Sequence, residues 1–424
     1  MIRWQWLRIA VLACVCTSAL AQDIAPVQHE PGALNSGKAR RAHYVVLVSL
    51  DGFRYDYAKL HRASNLLQMA QDGASTPDGM IPSYPTLTFP NHYTLVTGLY
   101  PEHHGIVSNK FLDPARGYEE YSYNGPSSKD GSWYGGTPLW VLAQKQGMRA
   151  ATFFWAGADA KIDGMRPDYW VPFDDKYDDA KRVDQVVSWL KLPAAQRPHF
   201  ITLYYSNVDH AAHDHGPDSP ELDAAVHHLD ALIGDLRQKL KATKLPVDLI
   251  VVSDHGGIAF KDRHWVELNK DADLSSVKPG PEAHMYGADD AASEKAYESL
   301  KALHDDRYEV YRRKDVPARL HFNSNPRIGD PVIIWKQAYP FRTMVDPARP
   351  KDTVIHDGPG EHGFDVATMP EMKASFYAEG PDIRRGVQLP SFENVNVYDF
   401  VCGLLGLKPA KNDGSPVVLK HARR

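Results

Sequence analysis

Tyr44-Val45-Val46-Leu47-Val48-Ser49-Leu50-Asp51-Gly52 is an almost unbroken apolar run that stops at an acid and a glycine. A strand with one wet face alternates apolar and polar residues. A strand without alternation is buried on both faces, as in a parallel sheet covered by helices. The same pattern recurs outward from this run. Arg149 to Trp155, His199 to Tyr205 and Val247 to Val252 read as strands, the last two ending in Ser206-Asn207-Val208-Asp209 and Ser253-Asp254-His255. Between them, Leu60 to Gln71, Asp184 to Leu192 and Pro220 to Lys241 carry helical spacing. Strands that alternate with helices predict an α/β fold with a mostly parallel central sheet and helices on both faces. Residues 260–350 break the pattern, with charge, proline, short strands such as Pro331 to Trp335 and one helix from Glu294 to Leu303. They are expected to form a small inserted subdomain. Core-like sequence returns at Ala374 to Ala378 and Val395 to Leu405.

A chain of 424 residues can bury a sizeable core without staples. Its net charge of −5 gives no basic stripe for duplex nucleic acid, so a small or flexible phosphate ester is the expected partner. Arg3 and Arg8 precede a mostly apolar segment, Ile9 to Leu20, which is too short to span a bilayer. With the small-residue site Ala19-Leu20-Ala21 this predicts a signal peptide over 1–21 and export to the periplasm or the medium. An uncleaved anchor and a lipoprotein signal ending at Cys14 are the alternatives. Residues 22–42 are expected as a flexible leader before a catalytic domain over 43–424. Cys402 then remains as the lone cysteine of the exported chain, in an apolar run, and is expected to be a buried small hydrophobe. The absence of other long apolar stretches predicts no stable membrane insertion, and a monomer is expected.

Three of the buried-looking strands end in acids, Asp51, Asp209 and Asp254. In open α/β sheets ligands bind beyond the carboxyl ends of the strands. One such acid alone is ordinarily an Asx-turn or a helix cap. Asp209-x-x-x-His213 puts two donors on one face if the chain coils there, with His210 and His215 as rival ligands. Asp254-His255 is followed by Gly256-Gly257, which permit a tight turn, and Glu361-His362-Gly363 supplies a third imidazole. Asp51, Asp209, Asp254, His213, His255 and His362 together form a mixed nitrogen and oxygen set. That set suits Zn²⁺ better than a thiolate or all-oxygen site would suit these residues. Three donors per ion for two ions leaves positions for nucleophile and substrate, the arrangement that clamps an in-line phosphoryl displacement. The candidate nucleophile lies in Pro85-Thr86-Leu87-Thr88-Phe89-Pro90-Asn91-His92, where Thr88 stands before an expected helix from Asn91 to Thr97. The ordinary role of such a threonine is a helix cap.

In these residues the chain resembles the nucleotide pyrophosphatase/phosphodiesterase family of the alkaline phosphatase superfamily. The match runs through Ser49 to Arg54, Pro85 to Tyr93, Thr97-Gly98-Leu99-Tyr100-Pro101, His104-Gly105-Ile106 and Thr152 to Trp155. It continues through Asp209-x-x-x-His213-x-x-Gly216-Pro217, Asp254-His255-Gly256 and His362-Gly363-Phe364-Asp365. The resemblance is to the bacterial type, without the disulfide-rich flanking domains of animal relatives. It implies an alkaline phosphatase-like fold with two zinc ions per chain. Asp209, His213 and His362 would hold one ion, and Asp51, Asp254 and His255 the other. It selects Thr88 over Thr86 as the nucleophile, beside the second ion. It assigns Asn109 to a phosphoryl oxygen, Phe89 to stacking on a nucleobase, and Trp155, Phe173 and Tyr204 to a nucleotide pocket. Leu87 and Gly257 depart from the residues many members carry, lysine and methionine respectively.

The resemblance therefore implies hydrolysis of nucleotide phosphodiester and pyrophosphate bonds through a covalent threonine intermediate, with release of nucleoside 5′-monophosphates. Cleavage of choline phosphodiesters or lysophospholipids on the same scaffold is the nearest alternative. A phosphate monoesterase lacks an assignable cation near Thr88, and a sulfatase lacks a cysteine at that position. A zinc-stabilised binding protein without turnover is the alternative from another class.

Overall fold

A computed structural model describes residues 23–343 and 359–424. The expected signal peptide lies outside the described residues, and so does part of the expected insertion. The central sheet has nine strands: β1 (Gln28–His29), β2 (Tyr44–Leu50), β3 (Ala74–Ser75), β4 (Ala150–Phe153), β5 (Tyr169–Val171), β6 (Phe200–Tyr205), β7 (Val247–Val252), β8 (Phe376–Glu379) and β9 (Val387–Gln388). Their spatial order is β1-β5-β4-β6-β2-β7-β8-β3-β9. The five central strands β5, β4, β6, β2 and β7 are all parallel to one another. β8 runs antiparallel to both β7 and β3, and β1 antiparallel to β5.

β2 lies at the centre, with Val46 opposite both Ile201 of β6 and Leu249 of β7. Its side chains alternate between two cores. Val45 and Leu47 face a layer containing helices α2 (Thr88–Thr97), α3 (Leu139–Lys145) and α7 (Asn396–Leu405). Val46, Val48 and Leu50 face a layer built from α1 (Ser64–Asp72), α4 (Asp179–Leu190), α5 (Asn207–His215) and α6 (Pro220–Ala242). Every residue of β2 is buried, which is why the run shows no alternation. Full burial of each such side chain contributes about 1.5–3 kcal/mol.

The chain departs from the sequence expectations in definable places. The expected helix from Leu60 to Gln71 is broken: a short turn over Tyr57–Leu60 ends, Arg62 takes φ +56°, and α1 starts at Ser64. α2 begins at Thr88, three residues before the expected start at Asn91, because Leu87 is still extended and Pro90 fits the first turn. Residues 23–42 were expected as a flexible leader, yet they are tied to the body. The backbone N–H groups of Ile24 and Ala25 donate to Gln185 Oε1, β1 pairs with β5, and Asn35 Nδ2 donates to the carbonyls of Ala194 and Arg197. Polar composition suggested mobility there, but these long-range backbone bonds supply the order. Cys402 is free and buried in α7.

Between β7 and β8 the chain forms small two-stranded sheets, Val277–Pro279 with Met285–Gly287 and Tyr308–Tyr311 with Val332–Trp335, and a helix over Asp290–Lys301. Val266, Leu268, Met285, Leu300, Tyr308 and Trp335 make a separate apolar cluster there, joined by Phe364, Met369 and Met372. Among the described residues no helix is long and apolar enough to cross a membrane.

The burial of β2 on both faces sets an expected outcome. Leu47→Ala should destabilise the protein by about 2–5 kcal/mol in urea unfolding, whereas Leu34→Ala at the surface should change stability by less than about 0.5 kcal/mol. Equal effects at the two positions would contradict the placement of the core.

Candidate functional site

The parallel strands bring their carboxyl ends to one edge. Asp51 follows β2 and Asp254 follows β7, while Asp209 stands in the first turn of α5, just after β6. α5 is fully helical, so the four-residue spacing aligns Asp209 with His213, and Asp209 Oδ1 lies 3.4 Å from His213 Nε2. His210 and His215, the rival ligands, are exposed and stand outside the cluster. Gly52 has φ +66°, and a Cβ there would meet the Asp209 backbone at 3.0 Å, so the glycine lets the end of β2 approach α5. A Cβ on Gly256 would lie 2.0 Å from the Glu371 carbonyl oxygen, so the turn after His255 also requires glycine.

The site residues converge into two adjoining groups. Asp51, Asp254 and His255 form one, with His255 Nε2 at 3.0 Å from Asp254 Oδ2 and 3.5 Å from Asp51 Oδ1. Asp209 and His362 approach within 3.7 Å in the other, beside His213. The His255 and His362 rings stack between the groups at 3.7 Å. Glu361 adds a carboxylate 3.8 Å from His362 and 4.0 Å from His213. A further cluster, His43, Asp248 and Asp382, lies at the opposite ends of β2 and β7 and is remote from these residues.

Two observations show that this donor set fits metal ions. Each imidazole uses Nδ1 on a backbone carbonyl: His213 on Gly360, His255 on Gly256 and His362 on Thr86, at 3.1, 2.8 and 2.9 Å. A carbonyl only accepts, so Nδ1 carries a proton and each Nε2 is turned to the cluster, the orientation that metal-bound histidines adopt. The second observation is that Asp51 Oδ1 and Asp254 Oδ2 are buried without any hydrogen-bond partner. Buried polar atoms are otherwise satisfied. Burial and the carboxylates of Asp254 and Asp209 push the Asp51 carboxyl well above the usual range. Burial also acts to raise Asp254, but the imidazoles of His255 and His92 hold it well below the usual range. Burial and the nearby His255 lower His362 to about 3, which keeps it a neutral donor. The several His/Asp clusters are thus capable of coordinating metal.

Thr88 is the first residue of α2 rather than its cap, and its Oγ1 lies 3.3 Å from His255 Nε2. Thr86 is spent elsewhere: its buried hydroxyl donates to the Phe364 carbonyl and accepts from the Gly363 N–H, which fastens the His362 loop. Asn91 ties residues 83–87 through its amide, donating to the carbonyls of Pro85 and Leu87 at 3.0 Å. Asn109 Oδ1 accepts the Phe89 N–H at 2.9 Å, which leaves the Asn109 amide NH₂ free to donate into the site. His92, quoted above without a role, bridges the Thr88 carbonyl, Ser49 Oγ and Asp254 behind Thr88.

The four aromatic residues assigned to a nucleotide pocket differ in placement. The Phe89 ring is half-buried and 5.5 Å from that of Tyr123. Phe173 is 56% exposed and 5.1 Å from Phe154. Trp155 is buried and donates its indole N–H to the His92 carbonyl at 2.9 Å, so it braces α2 from behind. Tyr204 donates its hydroxyl to Asp51 Oδ2 at 2.6 Å and orients that carboxylate. Beside the cluster a cleft of about 420 Å³ is lined by Leu87, Asn109, Lys110, Tyr123, His213, Phe260, Trp265, Glu282, Tyr339, Phe341, Glu361 and His362. The sequence reading singled out none of Tyr123, Trp265 or Glu282. Glu361 adjoined a proposed ligand and could have been found from that.

Residues 45–365 match the family model described as type I phosphodiesterase / nucleotide pyrophosphatase. Ectonucleotide pyrophosphatase/phosphodiesterase family member 1 of Mus musculus is 38% identical over 392 residues, covering 89% of this chain and 42% of that protein. The chain thus spans less than half the length of that relative. A pyrophosphatase/phosphodiesterase of Schizosaccharomyces pombe, described as uncharacterized, is 34% identical over 96% of this chain and 86% of its own length. The structure of murine ectonucleotide pyrophosphatase/phosphodiesterase 5, solved as an inactive variant in complex with AMP, superposes with a TM-score of 0.82. It is 28% identical and covers 90% of this chain and 100% of that one. The architecture is accordingly alkaline phosphatase-like. These relatives, with others from rat, human and snake venoms, are eukaryotic, so the expectation of a bacterial type is withdrawn. The fission-yeast relative aligns over most of both chains, so the span of the match does not mark a bacterial type.

The unpartnered carboxylates predict a stability response that needs no substrate. Protein stripped by a chelator should gain about 2.7 kcal/mol when free zinc is restored to a hundredfold above its Kd. The share of the gain that comes from the ion beside Asp51 and Asp254 should vanish in Asp51→Asn combined with Asp254→Asn, while Asp209, His213 and His362 keep theirs. Identical melting curves with and without zinc would contradict the fit.

Proposed function

The chain belongs to the type I phosphodiesterase / nucleotide pyrophosphatase family, and on that basis we propose that it is a two-zinc hydrolase of nucleotide phosphodiester and pyrophosphate bonds. The observation that carries the reading is the meeting of the Thr88 hydroxyl, the free Asn109 amide and six Asp/His donors at one end of the sheet. Asp51, Asp254 and His255 would hold one ion beside Thr88, and Asp209, His213 and His362 the other. Zinc, when bound there, supplies Lewis acidity and fixed positive charge.

The protein's own residues perform the rest. Thr88 Oγ gives up its proton and forms a bond to phosphorus as the bond to the leaving-group oxygen breaks on the opposite side, and that oxygen departs with the electron pair and, as an alcohol, with a proton. Asn109 donates to a non-bridging oxygen where negative charge accumulates. Water then attacks the same phosphorus, the threonyl ester is cleaved, and Thr88 regains its proton. α2 holds Thr88 in place because Asn91, His92 and Trp155 fasten the helix and the loop before it. Phe89 and Tyr123 offer aromatic faces to a nucleobase. A nucleoside 5′-monophosphate is the product, in keeping with the AMP bound by the mouse relative.

One observation favours a second reading. Trp265, Phe260, Tyr339 and Phe341 share the cleft with Glu282 and Glu361, a mixture of π-faces and acids that would also take a quaternary ammonium. A choline phosphodiester is therefore the alternative substrate. The ratio of kcat/KM for the p-nitrophenyl esters of thymidine 5′-phosphate and phosphorylcholine decides between them. A ratio above one supports the nucleotide reading, and a ratio below one selects choline. We also propose that the N-terminal segment directs secretion and that the mature chain acts as a monomer.

Thr88→Ala tests the catalytic reading. It should abolish turnover of either ester without changing the bound zinc, because the six Asp/His donors are intact. Thr88→Ser should retain activity, since it keeps the hydroxyl. Turnover by Thr88→Ala at the wild-type rate would reject the threonine nucleophile, and a non-catalytic binding protein would turn over neither ester in any variant.

A further inference from the structure

The turn Pro281–Ala283 packs against the short strand Lys110–Asp113, and within it Glu282 lies 174 residues along the chain from Ser108. Two consecutive non-glycine residues there occupy the left-handed region, Glu282 at φ +52°, ψ +38° and Ala283 at φ +58°. Backbone strain of this kind persists only where surrounding structure holds it, and it gathers at functional sites. The Glu282 side chain reaches the cleft that Asn109 and His362 also line. Its Oε2 accepts a hydrogen bond from Ser108 Oγ, a buried hydroxyl. The backbone N–H and the ammonium of Lys110 act on the same carboxylate. Ser108 and Lys110 are the two neighbours of Asn109.

We propose that Glu282 is a positioning residue for Asn109, holding both neighbours so that the Asn109 amide is aimed at the phosphoryl oxygen. The inference rests on the role given to Asn109 above. The half of Asn109 not available to substrate is fixed by the Phe89 N–H on its Oδ1, so the amide is clamped on one side by α2 and on the other by the inserted segment. Hydrogen bonds to a carboxylate are stronger than those between neutral groups, which suits a single residue that must hold a loop segment from across the cleft. The insertion thereby contributes to the reaction without touching substrate through this side chain.

A double-mutant cycle on the full-length chain tests this, with the p-nitrophenyl ester of thymidine 5′-phosphate as probe. Asn109→Ala should lower kcat by about 100-fold, the usual loss when one oxyanion donor is removed. Glu282→Ala should lower kcat by at least about 10-fold and leave KM within about 3-fold, because the lost interaction is made in the transition state. Glu282→Gln should recover most of that loss, since its carbonyl oxygen still accepts from Ser108. In the Asn109→Ala background, Glu282→Ala should add less than about 2-fold, because the two residues act as one unit. Losses that multiply, or a Glu282→Ala enzyme with unchanged kcat, would overturn the proposal while leaving the role of Asn109 standing. An Asn109→Ala enzyme with wild-type kcat would overturn that role and this proposal with it. Zinc content and melting temperature measured on each variant separate a positioning loss from a folding loss, because a folded Glu282→Ala chain with full zinc and the expected kcat loss cannot owe it to unfolding.

Discussion

Three carboxylates with their strand ends at one edge repel one another, and two of their oxygens are buried without partners. Two like charges about 4 Å apart cost about 4 kcal/mol at an effective dielectric near 20. That repulsion is the constraint the rest of the site answers. Nearby imidazoles offset part of it, and all three histidines of the cluster commit Nδ1 to a backbone carbonyl and turn Nε2 to the centre. Carboxylate oxygens and imidazole nitrogens that face inward together suit metal ions. The surrounding backbone is shaped to the same end: glycines at 52 and 256 stand where a side chain would prevent the approach of α5 or of the turn after β7.

The framework of this site was legible in the sequence because it rests on continuous signals. β2, β6 and β7 are buried on both faces and so show as mostly apolar runs, and the turns after them carry Asp51, Asp209 and Asp254. The Asp209–His213 spacing is a helical period, and the helix is there. Three kinds of feature were not legible. Backbone exceptions were hidden, such as the break at Arg62, which carries no glycine or proline to announce it. Long-range hydrogen bonding was hidden too: residues 23–42 look mobile by composition and are fixed by Gln185 and by β5. Side-chain direction was the third. The hydrogen bonds show Thr86 spent on residues 363 and 364 and Thr88 facing His255, a distinction that only the family resemblance implied beforehand.

The two parts of the molecule divide the work. The sheet and its flanking helices hold the Asp/His donors and the nucleophile on rigid ends, where small errors in position would be costly. The chain between β7 and β8 supplies cleft walls, Trp265, Glu282 and Phe341, on small sheets with their own apolar cluster. Walls built separately from the donors can vary in chemistry without disturbing them. With that separation, substrate choice would rest on the aromatic faces and acids of the cleft rather than on the donors.

The central claim is that Thr88 becomes covalently attached to phosphorus before water does. The stereochemical course of hydrolysis tests it most directly. A nucleoside 5′-phosphorothioate aryl ester of one configuration, hydrolysed in ¹⁸O-labelled water, passes through two in-line displacements if Thr88 attacks first, and the product should show net retention at phosphorus. Net inversion would mean that water attacks directly, and it would contradict the account even if both zinc ions were found where the carboxylates call for them.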